Sequence, residues 1–299
     1  MIFCLIQFIN ILPLPFAIAF SQLFVLTYLL LKPQYRKEIY YNYINIIGKD
    51  DKFFWIKNAL GVGKNLGLMI KANRKILNDI EVRNEDVLQK IKQNFSVETL
   101  ENIKINIKDI ADKSLDNVKF NRENIINNIM KNNSCIVVSF HFGPWELLPK
   151  IFGQKGYQIL LSVQNQRNQR LNNYLVKYRC DNKNIHLVYD LKSLNAKLTN
   201  SLQPLILGFV LDNMNTASGF QILTNISDAI KNNMPLVLCR RYSLPVVPIF
   251  IYSEDTRIKV SLGEAIMPNL SQEKIRQNIA QQFLPFLRAT PEQWVFWAK

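Results

Sequence analysis

Read as a string of apolar and polar positions, the 299-residue chain changes character twice. Residues 1–31 carry no charged side chain, and residues 16–31 are apolar almost without a break. A bilayer core takes about 20 apolar residues as helix, so this run predicts an N-terminal membrane-anchoring helix. Pro13 and Pro15 divide it, as one kinked span or as a short lead-in before an interfacial or spanning helix. From 35 to 122 apolar residues recur at three- and four-residue intervals, most regularly over 53–77 and 87–110, and predict helix. Beyond that the pattern alternates. Short β-branched runs at 135–140, 157–163, 185–189, 204–211, 245–252 and 257–262 read as strands, and the stretches 172–178, 191–200, 235–242 and 271–283 as helices. Strands alternating with helices predict an α/β fold, a mixed sheet flanked by helices. The expected organisation is an anchor at 1–31, a helical region at 32–122 and an α/β core at 123–299.

Candidate chemistry changes the picture first at Ser139-Phe140-His141-Phe142-Gly143-Pro144-Trp145-Glu146. The apolar run before it places His141 at a strand end, and Gly143-Pro144 reads as a helix start with proline at the first position. Glu146 then falls in the first helical turn, where its carboxylate is expected to reach one ring nitrogen of His141 while the other faces a cleft. A histidine so held takes the proton from an attacking hydroxyl, and the carboxylate fixes its tautomer and stabilises the imidazolium. A core histidine beside an acid favoured by the helix N-terminus fits the same spacing. The strand at 204–211 leads into Asp212-Asn213, a second acid at a strand terminus, where α/β ligand sites gather; a loop-capping aspartate is the alternative. Gly61, Gly63 and Gly67 lack a preceding strand and the G-x-G-x-x-G spacing, so they predict close helix packing rather than a nucleotide cradle.

The net charge of +14 and a pI near 9.6 suit anionic partners: phospholipid headgroups, phosphorylated glycolipids, nucleic acid or an acidic carrier protein. Forty-eight per cent apolar residues exclude global disorder. Between 164 and 179, Arg167, Arg170, Lys177 and Arg179 lie among amides, and Arg170, Tyr174 and Lys177 share a helical face that could grip phosphate, with an ordinary solvated surface as the equal alternative. No aromatic platform is interleaved with them, which argues against nucleic acid. Lys32, Arg36 and Lys37 come directly after the apolar run, and a basic flank places the remainder of the chain on the cytoplasmic side. No basic residue precedes the run, which continues past the cleavage-like Ala17-Ile18-Ala19, so a retained anchor is expected over a removed signal. The four cysteines are scattered without C-x-x-C spacing and lie mostly among apolar neighbours. They predict reduced, mostly buried thiols, and with only His141 and His186 beside them no metal site. His186, inside an apolar strand, reads as structural.

Several segments, in order, resemble the bacterial lipid A biosynthesis acyltransferase family, the late lauroyl and myristoyl transferases. These are the apolar N-terminus with its basic flank; Phe140-His141-Phe142-Gly143-Pro144-Trp145-Glu146, similar to that family's H-F-G-N-W-E; Leu211-Asp212-Asn213 before a Ser-Gly-Phe turn, with Leu244-Pro245-Val246-Val247-Pro248 after it; and the closing Pro291-Glu292-Gln293-Trp294. The resemblance implies a glycerolipid-acyltransferase-like core. It also implies transfer of a fatty acyl group from acyl-carrier protein, with acyl-CoA as another possible donor, to a hydroxyl of a lipid A precursor or similar glycolipid at the inner face of the cytoplasmic membrane, with no cofactor. His141 and Glu146 inherit the catalytic roles, and Arg167, Arg170 and Asp212 are the candidates for substrate binding. The family's tyrosine-arginine pair is replaced here by Gln164-Asn165, its basic tail is reduced to residues 295–299, and its phenylalanine-glycine segment after Asp212 is not evident. Glycerolipid acyltransferases share an H-x4-D motif but continue with F-P-E-G, which this chain lacks. They remain an alternative, as does a non-catalytic, membrane-anchored lipid-binding protein.

Overall fold

The computed structural model describes residues 2–72, 77, 80–93, 134–180, 182–201, 203–212 and 223–298. The helical reading over 94–122, and Asn213, lie outside them. Four helices open the chain: α1 (Ile2–Ile11), α2 (Leu14–Leu30), α3 (Pro33–Ile47) and α4 (Phe54–Lys71). Pro13 breaks the apolar run between α1 and α2, and Pro33 starts α3. No single helix among the described residues is long and apolar enough to cross a membrane. Only α2 and α3 together reach that length and composition, and they meet at 98°.

The glycine cluster is a packing surface, as its spacing predicts. A Cβ on Gly63 would land on the backbone of Gln22, and one on Gly67 would lie 2.9 Å from the Cα of Ile18, both in α2. One on Gly61 would strike the backbone of Glu292 near the C-terminus. Only glycine lets α4 approach backbone this closely on two sides.

The core is one seven-stranded sheet: β1 (Glu81–Arg83), β2 (Cys135–Ser139), β3 (Gln158–Ser162), β4 (Ile185–Val188), β5 (Leu205–Val210), β6 (Val246–Glu254) and β7 (Arg257–Leu262), in the order β1-β7-β6-β2-β5-β3-β4. All neighbours are parallel except the β6–β7 hairpin. The six strands read from periodicity are present. β1 falls in a region whose pattern predicts helix; it is three residues long, too short to show a period, and is a strand only because it pairs with β7. Helices α5 (Asp86–Gln93), α6 (Leu148–Gln154), α7 (Gln169–Arg179), α8 (Leu191–Asn200), α9 (Met234–Tyr242) and α10 (Gln272–Ala289) follow along the chain, with short 3-10 turns between some elements.

Successive strand residues face opposite sides, so the sheet is buried on both. Ile136, Val138, Leu207 and Phe209 pack on one face against Leu236, Ile279, Phe283, Trp294 and Trp297, together with Ile39, Tyr43 and Phe54 of α3 and α4. Val137, Ile159, Ile206 and Ile249 pack on the other against Leu148, Ile151 and Phe152 of α6 and Leu68 and Met69 of α4. Helices α3 and α4 thus share their core with the α/β sheet. Of the four free thiols Cys135 and Cys239 are buried, but Cys4 and Cys180 are exposed, so burial holds for two of the four rather than for most.

Candidate active site

The chain leaves β2 toward β3 on one side, and leaves β5 toward β6 on the other, so the carboxyl ends of β2 and β5 flank a topological switch point. These strands are hydrogen-bonded neighbours with Ser139 opposite Val210. Two residues further along each, the register brings His141 beside Asp212 although they are 71 positions apart. The Leu211 amide donates to the Ser139 carbonyl at 2.9 Å and holds the ends together.

Asp212 is fully buried and is surrounded by donors. His141 Nδ1 lies 2.8 Å from Oδ1, the His141 amide donates to both oxygens at 3.1 and 3.0 Å, and Trp294 Nε1 donates to Oδ2 at 2.8 Å. A buried carboxylate with three N–H donors is satisfied as an anion. The tautomer that carries its proton on Nδ1 makes this hydrogen bond, and in that tautomer Nε2 is the ring's acceptor. Trp145 and Phe296 pack edge-on against the imidazole at 5.0 and 4.7 Å and restrict its rotation.

After His141 the backbone turns sharply. Gly143 has φ +60°, and a Cβ there would overlap the carbonyl of Ile251. The helix start expected at Gly143-Pro144 is a 3-10 turn, Trp145–Leu147, before α6 begins. Glu146 lies in that turn, but its hydrogen bonds go elsewhere than the histidine: Arg179 Nε donates to Oε2 at 2.8 Å and Arg179 Nη2 to Oε1. The partner of the imidazole is Asp212, not Glu146. A strand-neighbour contact is fixed by sheet register, whereas H-x4-E spacing leaves the glutamate free to turn toward α7. The Glu146 and Arg179 side chains are 18% and 16% exposed. Burial alone would lower the Arg179 guanidinium, but the hydrogen bonds and charge of Glu146 outweigh it and hold it above its ordinary value.

His141, Trp145, Glu146 and Arg179 are among the residues that line a cavity of about 410 Å³. Its walls run down the sheet face over Val137, Ile159, Ile206, Gly208 and Ile249 and are closed by Leu148, Pro149 and Phe152 of α6. Polar side chains, Ser139, Ser162, Gln164, Gln166 and Asn232, share this lining with the apolar ones. Of the residues predicted to bind substrate, Asp212 is not in this wall: it is buried behind His141. Arg167 and Arg170 are exposed, next to the cavity-lining Gln166 and in the first turn of α7. Among the described residues, Arg179, which the sequence marks only as one member of a basic patch, is the cation that lines the cavity. His186 is a partly buried residue of β4 whose imidazole is held below its ordinary value, first by burial and then by Lys197.

Fold and site define an α/β protein in which a histidine hydrogen-bonded to a buried acid lines a cavity at the carboxyl ends of β2 and β5. A family model, Bacterial lipid A biosynthesis acyltransferase, matches residues 79–299. The chain belongs to the bacterial lipid A biosynthesis acyltransferase family. No curated protein matches it.

Proposed function

We propose that the protein moves a fatty acyl chain from an acyl-carrier-protein thioester to a hydroxyl of a lipid A precursor or similar glycolipid. The observation that carries the reading is the hydrogen bond of His141 Nδ1 to the buried Asp212, with His141 lining a cavity walled in part by apolar side chains, in a member of an acyltransferase family. Nε2 takes the proton as the acceptor oxygen attacks the thioester carbonyl. The tetrahedral intermediate collapses with cleavage of the C–S bond, the imidazolium returns the proton to the thiolate, and an ester and a free thiol result. Asp212 orients the ring and stabilises the imidazolium. Glu146 acts through Arg179, holding a guanidinium at the cavity mouth where the carbonyl oxygen develops charge. The acyl chain lies along the sheet face, and Arg167 and Arg170 meet the phosphates of donor or acceptor.

We also assign this activity to the cytoplasmic face of the inner membrane. Phe8, Ile11, Phe16, Leu23, Leu30 and Leu31 of the N-terminal helices and the turn after them are exposed, and an apolar patch of this kind suits lipid rather than water. The basic Lys32, Arg36 and Lys37 come next in the chain. The +14 charge suits both anionic headgroups and an acidic carrier.

The test is acyl transfer by the purified full chain from acyl-acyl-carrier protein to a lipid A precursor in mixed micelles. His141→Ala should lower kcat by about 10²- to 10⁴-fold, the worth of a positioned acid-base group. A folded His141→Ala enzyme working at the parental rate would overturn the assignment.

A further inference from the structure

The closing Pro291-Glu292-Gln293-Trp294 segment supplies no group to the proton transfer itself, yet it forms the rear wall of the site. The Gly143 amide donates to the Gln293 carbonyl at 3.1 Å, the Val295 amide donates to the His141 carbonyl at 3.0 Å, and Phe142 bridges Trp294 in antiparallel fashion. The residues around the histidine are therefore pinned to the C-terminal segment on both sides.

That segment is itself fixed from below by a buried polar network. Gln293 Oε1 accepts from the Ser253 amide at 2.9 Å, and Gln293 Nε2 donates to the Ser253 carbonyl at 2.8 Å. Asn58 Nδ2 donates to the Glu292 and Trp294 carbonyls at 3.1 and 2.8 Å, and Asn65 Nδ2 donates to Gln293 Oε1 at 3.3 Å. The Trp294 ring is fully buried, edge-on to Trp297 and Phe283 at 4.9 and 6.0 Å. Its one polar atom is aimed at Asp212.

We propose that Trp294 is a positioning residue for acyl transfer, acting through Asp212 to keep the ring proton of His141 on Nδ1; this rests on the reading of His141 as the base. The indole is an obligate donor. It donates to Oδ2 of a fully buried carboxylate whose Oδ1 meets Nδ1, and so fixes that carboxylate against the ring. Without it, Oδ2 loses its side-chain donor, the carboxylate is no longer held in place against Nδ1, and its preference for the Nδ1–H tautomer weakens. The Nε2–H tautomer, which cannot accept the hydroxyl proton, then gains population. A merely packing tryptophan would have none of these consequences.

The experiment replaces Trp294 by β-(benzothiophen-3-yl)alanine, which keeps the shape and removes the N–H, with Trp294→Phe as a second variant. Trp297→Phe is the control, because the Trp297 indole donates to the Pro291 carbonyl and not to the carboxylate. In the benzothienyl enzyme kcat should fall about 10- to 100-fold with KM unchanged, since a hydrogen bond to a charged group is worth roughly that factor. The chain holds two histidines, so the ¹⁵N spectrum of the histidine-labelled enzyme is assignable by comparison with His186→Gln. The His141 pattern should change from Nδ1–H toward Nε2–H in the Trp294 variants and stay parental in Trp297→Phe. A benzothienyl enzyme that keeps parental kcat and the Nδ1–H pattern, beside an inactive His141→Ala, overturns the role of Trp294 and leaves the base in place. Parental turnover by His141→Ala overturns the base and this inference with it.

Discussion

Asp212→Asn tests the site most sharply, because the side chain keeps its shape and loses one acceptor. Asp212 faces the imidazole Nδ1 on one oxygen and the Trp294 Nε1 on the other, both at 2.8 Å. An asparagine offers one oxygen and one NH₂ to these two neighbours. If the oxygen faces Nδ1, the NH₂ meets the indole N–H. Two donors in contact in a fully buried site leave polar groups unsatisfied, at about 1 to 3 kcal/mol. If the oxygen faces the indole, the NH₂ meets Nδ1, and the imidazole avoids conflict by carrying its proton on Nε2. The ring can change tautomer and the indole cannot, so the second arrangement wins. The base is then blocked, and kcat should fall about 10⁴-fold, as a wrong tautomer does in histidine triads. At about 1.36 kcal/mol per decade that is about 5 kcal/mol of activation free energy. Removing the indole N–H as well should free the amide oxygen to turn to Nδ1, so Asp212→Asn/Trp294→Phe should be more active than Asp212→Asn alone. Steady-state kinetics with ¹⁵N spectra of the folded variants decide it. An Asp212→Asn enzyme within about tenfold of the parent, or a double variant worse than the single, refutes the reasoning.

Glu146→Gln should leave the mostly buried Arg179 without its counter-charge and cost about 3 kcal/mol of stability, the lower end for breaking a buried pair. Adding Arg179→Met should recover more than half of that loss in chemical denaturation. The His141 ¹⁵N pattern should stay parental in Glu146→Gln; a tautomer change there would return the orienting role to Glu146. Gly63→Ala places a methyl on the backbone of Gln22, which cannot yield as a side chain would, and should cost about 1 to 3 kcal/mol of stability. An unchanged melting temperature would mean that α2 is not seated on α4. The Cys239 thiol is pushed up to about 12, by burial first and against the lowering effect of Arg240. Only about one part in 10⁴ is then thiolate at about pH 8, and the thiolate is the nucleophile. Native alkylation with mass spectrometric detection should therefore modify the exposed Cys180 and spare Cys239.

Much is legible along the chain because its causes are local. Alternating apolar runs mark six strands, since a strand buried on both faces must be apolar at consecutive positions. The helix starts at Asn168 and Ser271 lie within a few residues of the predicted ones, because a capping side chain satisfies the first amides wherever it stands in the sequence. Glycines without a phosphate-loop spacing read correctly as a helix contact. His141 stands out for the same reason: it lies just beyond a β-branched run and shortly before a glycine that turns the chain.

The partner of His141 is hidden from such reasoning. Spacing points from His141 to Glu146 five residues on, whereas the imidazole meets Asp212, 71 residues away. Sequence periodicity carries no information about which strands pair or in what register, and it is the parallel pairing of Ser139 with Val210 that sets the two side chains together. The same holds for β1, a three-residue strand created by its neighbour, and for Trp294, whose donor is aimed at the site only because the C-terminal segment folds back beneath it. Residue types determined what chemistry the chain could do; the sheet order decided which acid meets the histidine, because a hydrogen bond forms with whichever carboxylate lies within reach, not with the one nearest in sequence.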